Sequence, residues 1–276
     1  MKKRWKWISF FDYLIMLLVV FVSIAPLIWI FISSFKTNKQ ILSSAFSLPT
    51  SLYLEGYTIA IETANIPMRF LTSVIVAGSS TILAVLIYSM AAYIFARVQF
   101  KGRNFLFFLL LSSMLIPSNA MVQPVYFVVK SLGLYDTKSG LILVYTGFAM
   151  AMTLALMRSA FMRIPRELEE AAYLDGAGFF RAFVQVMLPI SKPAMASSAI
   201  LAFINSWNEF LYAMMLTSSE SNRTMPLMIK YFTSSFSFNY TSMFAALVLC
   251  ILPTLVMYIF LQEKVAESMI AGSVKG

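Results

Sequence analysis

Six long stretches of this chain carry almost no charge, and each is long enough to cross a hydrocarbon layer about 30 Å thick, which takes roughly 20 helical residues. They run near Tyr13 to Ser34, Phe70 to Ala96, Phe105 to Val129, Ser139 to Met157, Ala194 to Leu216 and Met243 to Leu261. In lipid every backbone N–H and C=O must be paired within the protein, so runs of this length predict helices rather than open strands. The remaining composition agrees: 60% of the residues are hydrophobic and 12% charged, with a mean hydropathy of +0.80. A water-soluble domain has no means of hiding that much apolar surface. The expected fold is all-α, a polytopic membrane protein with six transmembrane helices. With no internal repeat and no polar linker, residues 1–276 form a single transmembrane domain whose core covers about 70–262.

The first apolar run follows Lys2, Lys3, Arg4 and Lys6. A secretory signal begins the same way, but this run is too long and lacks a small-residue cleavage site, so it reads as a retained first helix. Trp5, Trp7 and Trp29 flank it as interfacial anchors. If the helices alternate, Lys and Arg are twice as frequent on the N-terminal side as on the other. That excess places both termini in the cytosol of a multi-pass cytoplasmic membrane protein. The net charge of +9 is then a topology signal with some attraction to anionic lipid; nucleic acid is a poor partner for charges scattered between apolar helices. Between the first two spans, the outer segment from Lys36 to Arg69 is expected to form a short amphipathic cap at the interface.

Catalytic chemistry is scarce. The chain has no histidine and one cysteine, Cys250, which removes zinc sites, cysteine–histidine nucleophiles and histidine relays. No glycine is followed directly by lysine, so the phosphate-binding loop of an ATPase is absent. The expectation is a chain that is not an enzyme and binds no cofactor or metal.

The one polar insertion of size joins the fourth and fifth runs, from Arg158 to Lys192. That is far more chain than a turn needs. Pro165 suits the first position of a helix, and Glu167, Glu169 and Glu170 fall where carboxylates favour its positive end. Ala171 and Ala172 continue the helix with a nearly flat surface. Gly176, between Asp175 and Ala177, can adopt the left-handed conformation that ends it. Phe179, Phe180, Phe183, Val184 and Met187 then give a second helix an apolar stripe before Leu188 and Pro189. The predicted shape is helix, glycine corner, helix. Two uses stand open: a docking surface for a soluble partner, or a hairpin that only covers the cytosolic mouth.

Inside the spans, Asn205, Asn208, Glu209 and Tyr212 are spaced to share one face of a fifth helix. A carboxylate there costs roughly 2.5–3.5 kcal/mol on insertion scales, so Glu209 is expected to face the interior. The set either offers amides, a carboxylate and an aromatic ring to a hydroxyl-rich solute or pins helices together. Pro117, Ser118, Asn119, Gln123 and Pro124 interrupt the third run, as a kink or as a break lining a cavity. Gly78, Ser79, Ser80 and Thr81 read as a small-residue packing face. The tail from Ala266, ending Gly272, Ser273, Val274, Lys275 and Gly276, reads as a frayed terminus.

The insertion resembles the signature of the permease subunits of bacterial ATP-binding-cassette importers for carbohydrates, specifically the second permease subunit of the maltose-transporter type. Glu170-Ala171-Ala172, Gly176, Val186 and Leu188-Pro189 stand in the family's register, with Val186 where Ile is usual. Phe35-Lys36, Ala91-Ala92-Tyr93 through Arg97, Leu132-Gly133-Leu134, Asp136-Thr137 and Ser206-Trp207-Asn208-Glu209-Phe210 resemble further landmarks across nearly the whole chain. Thr72-Ser73 departs from the family's usual Asn-Ser.

The resemblance implies that the insertion is a coupling helix docking on a separate ATPase subunit. Glu170 would make a charge-assisted contact there, Ala171 and Ala172 would pack closely, and Gly176 would form the corner. It implies a second, dissimilar permease subunit, two cytosolic ATPase subunits that use ATP and magnesium, an extracytoplasmic binding protein, and a sugar or similar polar solute such as a glycerol phosphate. It also suggests that Gly272 to Gly276 reach the ATPase pair. On the residues alone, an ion-coupled carrier or a channel remains an alternative, although Glu209 is the only clear carboxylate in the spans and no filter-like loop is seen.

Overall fold

The structure, a computed structural model, describes residues 2–232 and 238–273, with side chains for 11–232, 238–256, 258 and 259. The described residues are helical throughout their length apart from connections. In chain order the helices are α1 Lys2–Ser33, α2 Asn38–Ser43, α3 Glu55–Thr63, α4 Ile66–Arg97, α5 Arg103–Leu111, α6 Val122–Ser131, α7 Lys138–Phe148, α8 Met150–Arg163, α9 Glu167–Leu174, α10 Phe179–Ala182, α11 Leu188–Ile190, α12 Lys192–Trp207, α13 Leu211–Leu216 and α14 Tyr240–Ser273.

Two unbroken helical segments, Phe11–Ser33 and Ile66–Arg97, are long and apolar enough to cross a membrane. Three further pairs qualify if each bent pair is taken as one span, and the described Tyr240–Val256 stretch is apolar over a shorter length. The third apolar run bends by 95° between Arg103–Leu115 and Ser118–Ser131. Pro117 explains the site of the bend. Its ring disfavours helical geometry in the residue before it, and Ile116 is extended at φ −86°, ψ 117°. This is a full corner rather than a kink.

The fifth run departs from a single helix. It stops at Trp207 and restarts at Leu211, so Asn205, Asn208, Glu209 and Tyr212 do not share one continuous face. The last helix also outruns its expected end at Leu261 and the expected frayed tail, continuing to Ser273. Ala266 to Ala271 hold no proline or glycine, and alanine, glutamate and methionine favour helix. Val274, Lys275 and Gly276 lie outside the described residues.

By contacts the chain divides into two units: residues 1–66 with 228–253, and 67–227 with 254–276. In the first, α1 is exposed through its most apolar window, and buried contacts form near its end. The Lys36 ammonium is buried and donates to the Ala45 carbonyl at 2.9 Å. The Trp29 indole donates to the same oxygen at 2.9 Å and meets Phe244 edge-on, with ring centroids 5.1 Å apart. Between α1 and α4, α2 is closed at its start by a reciprocal pair of hydrogen bonds between Thr37 and Gln40. α3 buries Gly56 and Ala60, and a side chain at Gly56 would meet Thr241 at 2.6 Å.

The second unit has two apolar cores. One gathers Tyr93, Phe95 and Phe107 from α4 and α5 with Leu154, Met157 and Phe161 from α8 and Phe183 and Met187 from the insertion. The other gathers Val76, Val129, Leu141, Tyr145, Tyr212 and Leu216. Of the expected small-residue face on α4, Ser80 and Thr81 are buried but Gly78 has nothing within 4 Å of where a side chain would start. Gly78 therefore packs closely against no other described residue.

Candidate functional site

The insertion folds as the sequence predicts, with its first helix two residues later than Pro165 implied. α9 begins at Glu167, preceded by Arg166. Gly176 is left-handed at φ +82°. The Gly176 N–H donates to Tyr173 at 3.0 Å and the Ala177 N–H to Ala172 at 2.9 Å, the paired closing bonds that satisfy a helix's last carbonyls. The second helix runs through α10, a wider π-turn at Phe183–Met187, and α11. Such widened turns recur at functional positions.

The three glutamates of the first turn have different surroundings. Glu167 and Glu170 are exposed, whereas Glu169 is 5% exposed. Its carboxylate accepts the Tyr93 hydroxyl at 2.5 Å and pairs with the Arg97 guanidinium. Arg97 also donates to the Ile164 carbonyl at 2.6 Å, where α8 ends. The Tyr93 ring lies stacked on Phe179 at 4.7 Å and Phe183 at 5.0 Å. Two residues near the end of α4 thus hold both helices of the hairpin. In the sequence Tyr93 and Arg97 resemble family landmarks, but three carboxylates in one helical turn give no sign of which one turns inward to meet them.

What remains on the outside is a tip of Glu170, Ala171, Asp175 and Gly176, exposed, with Ala172 and Ala177 half-buried. Leu174 is 89% exposed and Phe180 64%. Phe183, of the same stripe, is turned inward and buried. Leu188 and Pro189 lie at the hairpin's base, in α11. Small residues flanked by two exposed carboxylates and by Leu174 form a surface that a partner can approach closely.

The second polar site lies where the fifth run breaks. Glu209 precedes α13 and its carboxylate accepts the N–H groups of Tyr212 at 2.8 Å and Ala213 at 2.9 Å, satisfying two donors that a helix start leaves open. It also accepts the buried Tyr145 hydroxyl at 2.7 Å. The Tyr212 hydroxyl in turn donates to the Ser118 carbonyl at 2.6 Å, a group freed by the corner in the third run. A cavity of about 260 Å³ opens beside these groups, lined by Asn119, Asn205, Glu209 and Tyr212 among others. Asn208 and Gln123 are not in its wall; the Asn208 amide turns back to the Ile204 carbonyl at 3.0 Å. Among the described residues no three His, Cys, Asp or Glu side chains converge as metal ligands would.

A third constellation surrounds Asp136, whose partners lie far along the chain. Asp136 is left-handed at φ +56°, and its carboxylate accepts the N–H of Ser218 at 2.9 Å and of Ser219 at 3.0 Å, together with the Ser219 hydroxyl. Burial works against the charge, yet these hydrogen bonds prevail and hold the carboxyl well below the usual carboxylate range.

Comparison with known proteins agrees with this architecture. Residues 6–270 match the family model described as binding-protein-dependent transport system inner membrane component. The chain is 38% identical over 254 residues to the diacetylchitobiose uptake system permease protein NgcG of Streptomyces coelicolor, covering 91% of this chain and 84% of that one. It is 31% identical over 261 residues to the trehalose transport system permease protein SugB of Mycobacterium tuberculosis, covering 94% and 95%. In fold it resembles a chain of a bacterial ABC transporter that imports the acidic polysaccharide alginate, with a TM-score of 0.82 at 22% identity over 94% of this chain and 96% of that one. Since the family model spans nearly all of the sequence, the chain belongs to the family of inner membrane components of binding-protein-dependent transport systems.

Proposed function

We propose that this chain is one of two dissimilar permease subunits of an ATP-driven importer for a di- or oligosaccharide. It crosses the membrane six times with both termini in the cytosol, and the hairpin from α9 to α11 docks on one of two ATPase subunits. A binding protein delivers the solute from outside. The observation that carries this reading is the hairpin itself: its tip leaves Glu170, Ala171 and Gly176 exposed, while its base is locked by Glu169 to Tyr93 and Arg97. A hairpin that merely covered a cavity mouth would turn its apolar residues inward, yet Leu174 and Phe180 point out.

The sugar class is supported by the named solutes of the relatives, diacetylchitobiose and trehalose, and by the chemistry of the cavity beside Glu209. Asn119 and Asn205 offer amides and Tyr145, Phe148 and Tyr212 offer rings, which together suit a hydroxyl-rich solute. Nucleotide chemistry belongs to the partner: ATP and magnesium act there, and this chain binds no cofactor of its own. The tail Gly272 to Gly276 approaches the ATPase pair.

Cysteines placed singly at Ala171, Ala172 and Gly176, in a chain with Cys250→Ser, test the docking. In native membranes they should cross-link to a protein that hydrolyses ATP. Capture of no such neighbour from any of the three positions contradicts the proposal.

A further inference from the structure

The docking hairpin is joined to one end of α4, and the opposite end of the same helix is joined to another segment. Near its start, Arg69 is buried and paired with Glu220. The Thr72 hydroxyl donates to the Ser221 carbonyl at 3.1 Å, and the Ser73 hydroxyl accepts the Met225 N–H at 2.7 Å. Near its finish, Tyr93 and Arg97 hold Glu169, Ile164, Phe179 and Phe183. Both joints stand on one continuous helix of 32 residues, with about 40 Å from Arg69 to Arg97 at 1.5 Å per residue. The other candidate spans of this unit are broken, at Pro117, at Ala149 and at Ser191, and the fifth run stops again at 208–210.

From this geometry we infer that α4 is a stiff rod carrying hairpin movement to the segment 217–225, and that Tyr93, Arg97, Glu169 and Arg69 are positioning residues fixing its two ends. A helix unbroken by proline or glycine corner transmits displacement along its axis, whereas a 95° or 48° bend absorbs it. Both joints are tied by charged and buried groups, which resist sliding more than apolar contact does. Segment 217–225 is also pinned by Asp136, so a displacement of α4 must either move that pin or break it. The inference rests on the hairpin docking to an ATPase, as proposed above.

The test uses the complete reconstituted importer with its ATPase and binding protein. In a Cys250→Ser background, Ser221→Cys reports the far joint through its labelling rate with a membrane-impermeant maleimide, with and without ATP and vanadate. The nucleotide state should change that rate by about fivefold or more, a coupling of ordinary allosteric size. Tyr93→Phe, which keeps the ring stacking and removes one hydroxyl, and Glu169→Gln, which keeps the shape, should each abolish most of the change. Cross-linking from Ala172→Cys to the ATPase subunit should survive in both. A nucleotide response of unaltered size in the two variants, with docking intact, overturns the rod while leaving the docking in place. Absence of the Ala172 cross-link in the otherwise unaltered chain removes the driver and overturns both.

Discussion

The Tyr145 hydroxyl meets the Glu209 carboxylate at 2.7 Å, and that carboxylate also closes the start of α13 through the N–H groups of Tyr212 and Ala213. One side chain therefore restarts a broken helix and ties it to α7. Its acceptor capacity is largely spent on the protein, so Glu209 organises the cavity wall that Asn119 and Asn205 also line.

Glu209→Ala should cost about 3 kcal/mol, because three donors lose a charged acceptor; Glu209→Gln retains one acceptor oxygen and should cost about 1 kcal/mol. Thermal unfolding of the detergent-solubilised chain, followed by size-exclusion fluorescence, reads the order. Equal melting temperatures for the unaltered chain and Glu209→Ala contradict the pinning.

Gly176→Trp should leave the membrane fold intact and reduce transport. No atom lies within 4 Å of where its side chain begins, so the cost is the left-handed backbone at φ +82°, about 1–2 kcal/mol for a residue other than glycine. Expression and melting should change little while ATPase stimulation by the loaded binding protein falls. Full stimulation in this variant counts against the corner as a docking element.

Two glycines of α7 should respond oppositely to alanine. A side chain at Gly140 would start 2.4 Å from the Leu134 carbonyl oxygen, whereas Gly147 has nothing within 4 Å. Gly140→Ala should destabilise by about 2 kcal/mol through backbone displacement, and Gly147→Ala should be neutral or slightly stabilising, since alanine favours helix by about 1 kcal/mol. Paired melting curves decide it.

Asp136 gives a pH dependence with a defined sign. Its carboxyl is held well below the usual range by hydrogen bonds from Ser218 and Ser219. A depressed folded-state value stabilises above the ordinary carboxylate pKa of about 4, and the contribution is lost as pH falls through the depressed value. Asp136→Asn, which tolerates the left-handed backbone, should lower stability by about 1 kcal/mol at this half-exposed site. The gap in melting temperature between the two chains should stay constant from pH 5 to 8 and narrow below pH 4. A gap that widens in acid contradicts the assignment.

Much of this structure was legible in the sequence because its signals are local. Pro117 marked the break in the third run, and Gly176 after an alanine-rich helix marked the corner. What escaped depends on partners far along the chain. Lys36 and Arg69 read as surface charges in a count of topology, yet both are buried; their partners are a carbonyl at Ala45 and a carboxylate at Glu220. The break at 208–210 holds no proline or glycine, so nothing local announced it; a carboxylate capping the next helix did the work of a breaker. Glu169 and Glu170 are neighbours of the same type, and only the position of Arg97 in space separates the buried one from the exposed one.

This chain is expected to move a saccharide only when another subunit hydrolyses ATP. Uptake of radiolabelled diacetylchitobiose, trehalose and maltotriose into proteoliposomes holding the two permease subunits and the binding protein tests it, with and without the ATPase subunits. Uptake of at least one of these sugars should occur with ATPase and ATP present and fall to background when either is omitted. Equal uptake in the absence of the ATPase contradicts the account.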